Sequence, residues 1–293
     1  MEPDYVKLKE IKPVLSGYIR ASQALLKRSV LPDEKSIHDI RVLMKKSRAL
    51  VQLTLSQQDN LYFDRNISDL KEGGTLMCSW RETSVQRKLL KSFRRKYPDI
   101  FFKLHENSRL IHLLEKNEPV TGSPSEVKTA IEKIDDLLNK TSYRVRFQSM
   151  KSADPQLLLK ELDKSFMLVK DIYMLCRNSP KPALMHKFRK KAKSFLYQLV
   201  IFRPLNPSVV KALEKKLDNM TQNLGKFNDL TQIIKALGYI YNEGSNMPAM
   251  DELAIKFREA QDKYLSKVWP AAYQVFCPGQ KLVNILGFKL LVI

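Results

Sequence analysis

The chain has 293 residues, 44% of them hydrophobic and only nine of them glycine, which suits one large domain or two of about 150 residues and favours helix over sheet. Fifty-one Lys and Arg against 31 Asp and Glu give a formal charge of +20. Such a charge repels itself unless a polyanion neutralises it (nucleic acid, an anionic membrane surface or a phosphate polymer), the alternative being a merely solvated basic surface. Cys78, Cys176 and Cys277 are far apart and form no CxxC pair, which excludes a disulfide framework or a cysteine zinc site and points to a reducing, cytoplasmic setting.

The opening MEPDYVKLKEIKP lacks the apolar stretch of a signal peptide. Apolar residues at three-to-four spacing predict a first helix over 5–29, which LPDEKS interrupts. Asp33 and Ser36 offer caps for the next, from Ser36 to Gln57. A third helix is expected over 60–73, ended by Gly73-Gly74, and a fourth from there to Pro98. Helical pattern continues over 99–117, NEPVTGSPS (117–125) reads as a loop, and helix resumes from Ser125 to Asn139. After SADP come helices over 156–177, 182–202, 207–242 and 249–276, separated by NSPKP, RPLNP and NEGSNMP, with Pro270 expected to kink or end the last. The final LVNILGFKLLVI is too short to span a bilayer and reads as a buried helix end. The expected fold class is all-α.

Two stretches resemble each other. IHDIRVLMKKSRAL (37–50) and MHKFRKKAKSFLY (185–197) each carry a histidine, an arginine three residues on, and lysines behind. Setting His38 on His186, an offset of 148, also sets Arg41 on Arg189 and Lys45 on Lys193. Downstream, MCSWRETSVQ (77–86) falls on LGKFNDLTQI (224–233) at an offset of 147. A near-constant offset over about 45 residues implies a duplication. Residues 1–150 and 151–293 would then be two helical bundles of about four helices each, related by a pseudo-twofold.

At roughly 100° per residue, His38, Arg41, Lys45 and Arg48 fall within an arc of roughly 80°. His186, Arg189 and Lys193 take the equivalent arc, with Lys190 and Tyr197 at its edge. Apolar residues flank this basic stripe on both sides, so its cations point into a groove or channel instead of a broad solvated face. Confined cations repel each other and resist desolvation, and an anionic ligand offsets both costs. No acid occurs between Asp171 and Glu214, where nine Lys and Arg do. The basic run 87–96, by contrast, reads as a solvated face. Neutral imidazoles at His38 and His186 would donate to a phosphate oxygen or orient the arginines. Metal ligation is not expected: His105 and His112 lack an HExxH pattern, and no carboxylate cluster adjoins a histidine.

These residues are where the chain resembles a known family. The doubled H-x-x-R with basic residues one and two turns on, followed by RET in one half and LGKFNDL in the other, is similar to the CHAD family, the conserved histidine α-helical domain. The likeness covers residues 5 to 276. It implies two four-helix bundles with pseudo-twofold symmetry around a basic cavity, and binding of inorganic polyphosphate, in some members on polyphosphate granules. By position, the implied contacts are His38, Arg41, Lys45 and Arg48, then His186, Arg189, Lys190, Lys193 and Tyr197, with Arg81 and Lys226 weaker candidates. Two departures stand out. Leu196 replaces an arginine often found before the tyrosine, so the second stripe would grip less tightly there, and Cys78 replaces the glycine before the first-half motif. No ExExK-type alternation near the start suggests the triphosphate hydrolase domain that some relatives carry.

The expected function is therefore non-enzymatic polyphosphate binding without a cofactor, with other polyanions bound weakly. A basic helical nucleic-acid-binding protein is the alternative. It lacks support from exposed aromatics on the stripes or from a helix-turn-helix or zinc signature. An enzyme acting on phosphoanhydride bonds would need a magnesium-binding acidic cluster on the stripe, and none is present.

Overall fold

A computed structural model describes residues 11–28, 32–57, 60–104, 124–147, 154–241 and 248–287. Among them every regular element is helical. In chain order these are α1 (Ile11–Leu26), α2 (Glu34–Leu53), α3 (Asn60–Leu76), α4 (Cys78–Lys96), α5 (Pro98–Lys103), α6 (Pro124–Phe147), α7 (Pro155–Asn178), α8 (Pro182–Leu199), α9 (Pro207–Tyr241), α10 (Pro248–Phe276) and α11 (Leu282–Leu286). Short 3-10 turns follow α2 and α8, at Leu55–Gln57 and Val200–Phe202.

The helix starts follow from local chemistry. Six of the helices begin at a proline, whose missing N–H costs nothing in the first turn and whose fixed φ suits it. The Asp33 carboxylate caps α2 by accepting from Ser36 N at 2.8 Å, and Asp154 caps α7 by accepting from Gln156 N at 2.8 Å.

Three expectations are corrected. Gly73-Gly74 does not end α3, which runs to Leu76 and breaks at Met77. The glycines answer to packing: a Cβ on Gly73 would lie 2.9 Å from Met44 Cε of α2, so the two helices approach only because it is absent. Pro270 does not end α10, which continues to Phe276. The last turns are held by Ala272, Val275 and Phe276 in the core, with Phe276 packed on Phe166 at 5.5 Å between ring centroids. That burial outweighs the hydrogen bond the proline removes. Helix α6 also runs past Asn139 to Phe147. His105, His112 and the loop expected around 117–123 lie outside the described residues.

Helices α1, α2, α3 and α6 pack on one another around Leu15, Ile19, Ile40, Met44, Val51 and Ile134. Helices α7, α8, α9 and α10 do the same around Phe166, Tyr173, Phe188, Phe195, Phe202 and Phe276. In the second set the long α9 takes a place that α3 takes in the first. A third core joins α4 and α5 to the second set, with Leu90 and Phe93 of α4 and Ile100 and Phe101 of α5 against Leu230 of α9 and Leu253 and Phe257 of α10. The two sets meet where α2 crosses α8. There Gln198 Nε2 donates to Ala49 O at 3.1 Å and Ser194 Oγ to Gln52 Oε1 at 3.1 Å, so the two helices run in opposite directions. Leu282 and Leu286 of α11 are buried, as the apolar end of the chain leads one to expect. No helix among the described residues is long and apolar enough to cross a membrane.

Candidate functional site

The crossing helices α2 and α8 carry the two stripes. On α2, the neighbours Ile37, Ile40, Met44 and Val51 are buried, which fixes the rotation of the helix. His38, Arg41, Lys45 and Arg48 are left half-buried beside them. On α8, Met185, Phe188, Ala192 and Phe195 are buried, and His186, Arg189, Lys193 and Tyr197 are half-buried while Lys190 is exposed. Charges at that depth keep part of their water and lose the rest.

The two arginines sit in matching surroundings. Arg41 donates from Nη1 to the backbone carbonyl of Gly74 at 2.5 Å, and its Nη2 lies 3.6 Å from Cys78 Sγ. Arg189 lies flat against α9, where a Cβ on Gly225 would come within 3.1 Å of its Nε and 3.2 Å of its Nη2. Cys78 and Gly225 are the residues that the sequence repeat sets on each other. The acceptors given to Arg41 are neutral. In both arginines Nε is buried with no hydrogen-bond partner. A buried donor left unpaired costs about 1–3 kcal/mol, and more when its group is charged.

The remaining stripe residues are electrostatically linked. Burial holds the Arg48 guanidinium below its usual pKa, and Arg41 adds to the effect. His186 Nδ1 pairs with Asn228 Oδ1 at 2.9 Å. Burial pushes the His186 pKa down, the Asn228 bond opposes this, and Lys190, Arg189 and Lys45 push further down. Lys45 belongs to α2, so the first stripe acts on the histidine of the second. Tyr197 sits at the crossing between cations of both helices, with Lys46 Nζ 5.9 Å and Lys193 Nζ 5.4 Å from its ring centroid. Lys46 Nζ also stands 5.5 Å from the ring of Tyr18 on α1.

Lys193 has a carboxylate partner. Lys193 donates to Asp218 Oδ1 of α9 at 2.8 Å, and the other oxygen of Asp218 accepts from Gln222 Nε2 at 2.7 Å. Lys226 is exposed and stands over Tyr264 of α10 at 5.5 Å, one residue on from the Gly225 that meets Arg189. Arg81 lies on α4, where its side chain is outside the described residues. Among the described residues there is no group of three His, Cys, Asp or Glu able to hold a metal ion.

Sequence reasoning missed the partners that set these side chains. Gly74, Cys78, Asp218, Gly225 and Asn228 come from α3, α4 and α9, and Lys46 comes from the next face of α2. The LGKFNDL segment was legible as a motif, but its role as the floor beneath Arg189 and the partner of His186 needed the packing.

No curated protein matches the chain in a sequence comparison. A family model described as the CHAD domain matches residues 14–237, well over half of the chain, and spans both histidine helices and the Gly225–Asn228 floor. The chain therefore belongs to the CHAD family, whose domain is associated with polyphosphate binding.

Proposed function

We propose that the protein binds inorganic polyphosphate without turning it over, through the stripes on α2 and α8. Arg41, Arg189, Lys45, Arg48, Lys190 and Lys193 would donate charge-assisted hydrogen bonds to phosphate oxygens. His38 and Tyr197 would complete the track as neutral donors, and His186, whose Nδ1–H is taken by the Asn228 carboxamide oxygen, would donate from Nε2 once protonated. The observation that carries this reading is the pair of half-buried guanidiniums at equivalent places, each with a buried Nε that has no hydrogen-bond partner among the described residues. A bound anion would compensate charge that the fold leaves uncompensated.

The repeat is part of the same proposal. Residues 1–150 and 151–293 would be duplicated helical bundles whose stripes meet around a shared basic cavity. The pairing of Cys78 with Arg41 and of Gly225 with Arg189, at the same offset as the sequence repeat, supports it. Residence in the cytoplasm on polyphosphate granules would follow from such binding.

Calorimetric titration with long-chain polyphosphate, beside duplex DNA at matched phosphate concentration and at low and physiological salt, tests the proposal. Wild-type protein should bind polyphosphate tightly and DNA weakly, and an Arg41→Ala/Arg189→Ala double variant should lose the polyphosphate. Equal affinity for both polymers, untouched by the substitutions, would mean that the net charge binds polyanions indiscriminately.

A further inference from the structure

The elbow between α4 and α5 is held firmly from beneath. Leu90, Phe93, Ile100 and Phe101 enter the third core, and Phe93 meets Phe257 of α10 edge-on at 4.5 Å between ring centroids. The outer side of the elbow is different. Lys91, Arg94 and Arg95 of α4 and Pro98, Phe101 and Phe102 of α5 line a hollow of about 600 Å³. Phe102 is 84% exposed, the most of any large hydrophobic side chain among the described residues.

Three of the cations here stand apart from the ion pairs around them. On either side, Lys88 pairs with Glu34 at 2.6 Å and Lys103 with Glu252 at 3.9 Å. Between them, Lys91, Arg94 and Arg95 have no carboxylate partner among the described residues. At three- and four-residue spacing they share one face of α4, with Cβ atoms about 5–6 Å apart.

We propose that this elbow binds a nucleoside di- or triphosphate, its phosphates on Lys91, Arg94 and Arg95 and its base against Phe102 and Pro98. Three neighbouring cations suit a group carrying two or three phosphate charges. An exposed ring beside them is a stacking platform for a base of any sequence. The hollow falls within the roughly 300–1,000 Å³ of small-ligand sites. A bare phosphate chain would engage the cations but leave Phe102 uncovered, so the ring separates the two kinds of ligand. None of these residues belongs to the stripes.

Calorimetric titration of the full chain with ADP and with inorganic pyrophosphate, in the absence of divalent metal, tests this. The wild type should bind ADP about tenfold more tightly than pyrophosphate, the worth of one stacked base. Phe102→Ala should bring ADP down to the pyrophosphate level, leaving pyrophosphate and polyphosphate binding unchanged. Arg94→Ala/Arg95→Ala should weaken both small ligands by at least about tenfold, as loss of charge-assisted bonds requires. The exposure of all three side chains keeps these variants folded. Arg41→Ala/Arg189→Ala should leave ADP binding intact. The proposal is overturned if ADP binds no better than pyrophosphate, if Phe102→Ala changes nothing, or if the stripe variant abolishes ADP binding.

Discussion

Gly225→Ala separates stability from binding at the second arginine. An alanine Cβ would lie 3.1 Å from Arg189 Nε and 3.2 Å from Nη2, a few tenths of an ångström inside ordinary contact. Two effects on stability oppose each other. Gly225 lies in the interior of α9, so alanine should add about 0.5–1 kcal/mol by reducing the freedom of the unfolded chain. Overpacking at a rigid site costs about 1–3 kcal/mol, but here the neighbour is a flexible side chain that can swing away, so the low end applies. The net change in stability should stay within about 1 kcal/mol.

Affinity has no such cancellation. A guanidinium pushed off the floor of α9 no longer presents its donors to a phosphate chain, and a charge-assisted hydrogen bond is worth about 1.5–3 kcal/mol. The dissociation constant for polyphosphate should therefore rise about 10- to 100-fold. Denaturant melts and polyphosphate titrations on the same preparations would read both quantities. Gly17→Ala in α1, with open space around the added Cβ, is the control and should gain the same stability with no change in affinity. Unchanged affinity in Gly225→Ala would refute the role given to Arg189. A destabilisation beyond about 3 kcal/mol would refute the premise that its side chain can give way.

Other consequences are as direct. Asp218→Asn removes the carboxylate that occupies Lys193, so polyphosphate affinity should rise severalfold while stability moves by less than about 1 kcal/mol, because both side chains are partly solvated; weaker binding would show that Asp218 positions Lys193 for the ligand. His186 is held below its ordinary 6.5 by burial first, then by Lys190, Arg189 and Lys45, against the Asn228 bond. The unfolded chain thus takes up that proton more readily, so this contribution to stability is full above about pH 6.5 and fades as pH falls below it. A bound phosphate favours the imidazolium, so polyphosphate affinity should rise as pH drops from about 7.5 to about 5.5, even as the free protein melts earlier, and His186→Gln should flatten the affinity profile. A pH-independent wild-type affinity would remove His186 from the ligand's reach. Lys190→Ala, at the exposed edge of the second stripe, should lower the slope of log K against log salt by about one, and an unchanged slope would place Lys190 outside the track.

The stripes were legible because helical periodicity set the charges between apolar flanks, and the packing of Ile40, Met44, Phe188 and Ala192 holds them there. The prolines were legible as breaks because a proline opens a helix as readily as it ends one. Gly73 and Gly74 were misread for a physical reason. A glycine that ends a helix and a glycine that admits a neighbouring helix look alike in one chain, and only the 2.9 Å approach of Met44 tells them apart. The carbonyl of Gly74 then has a further use, as an acceptor for Arg41 from 33 residues away. Distances of that order in sequence hide such partners of the stripes as Cys78, Gly225 and Asn228.

Leu196 shows what that long-range context changes. Read along the chain, it is a missing cation and a weaker end to the second stripe. In the fold it is a core residue, 5% exposed and packed within the second bundle. Over the Tyr197 ring stands Lys46, which comes from the other stripe helix and shares that ring with Lys193. Helix α2 thus brings a cation to a ring that α8 presents. The grip proposed for this end would then depend on the crossing of the two helices, where Gln198 and Ser194 hydrogen-bond across, more than on the content of either stripe alone.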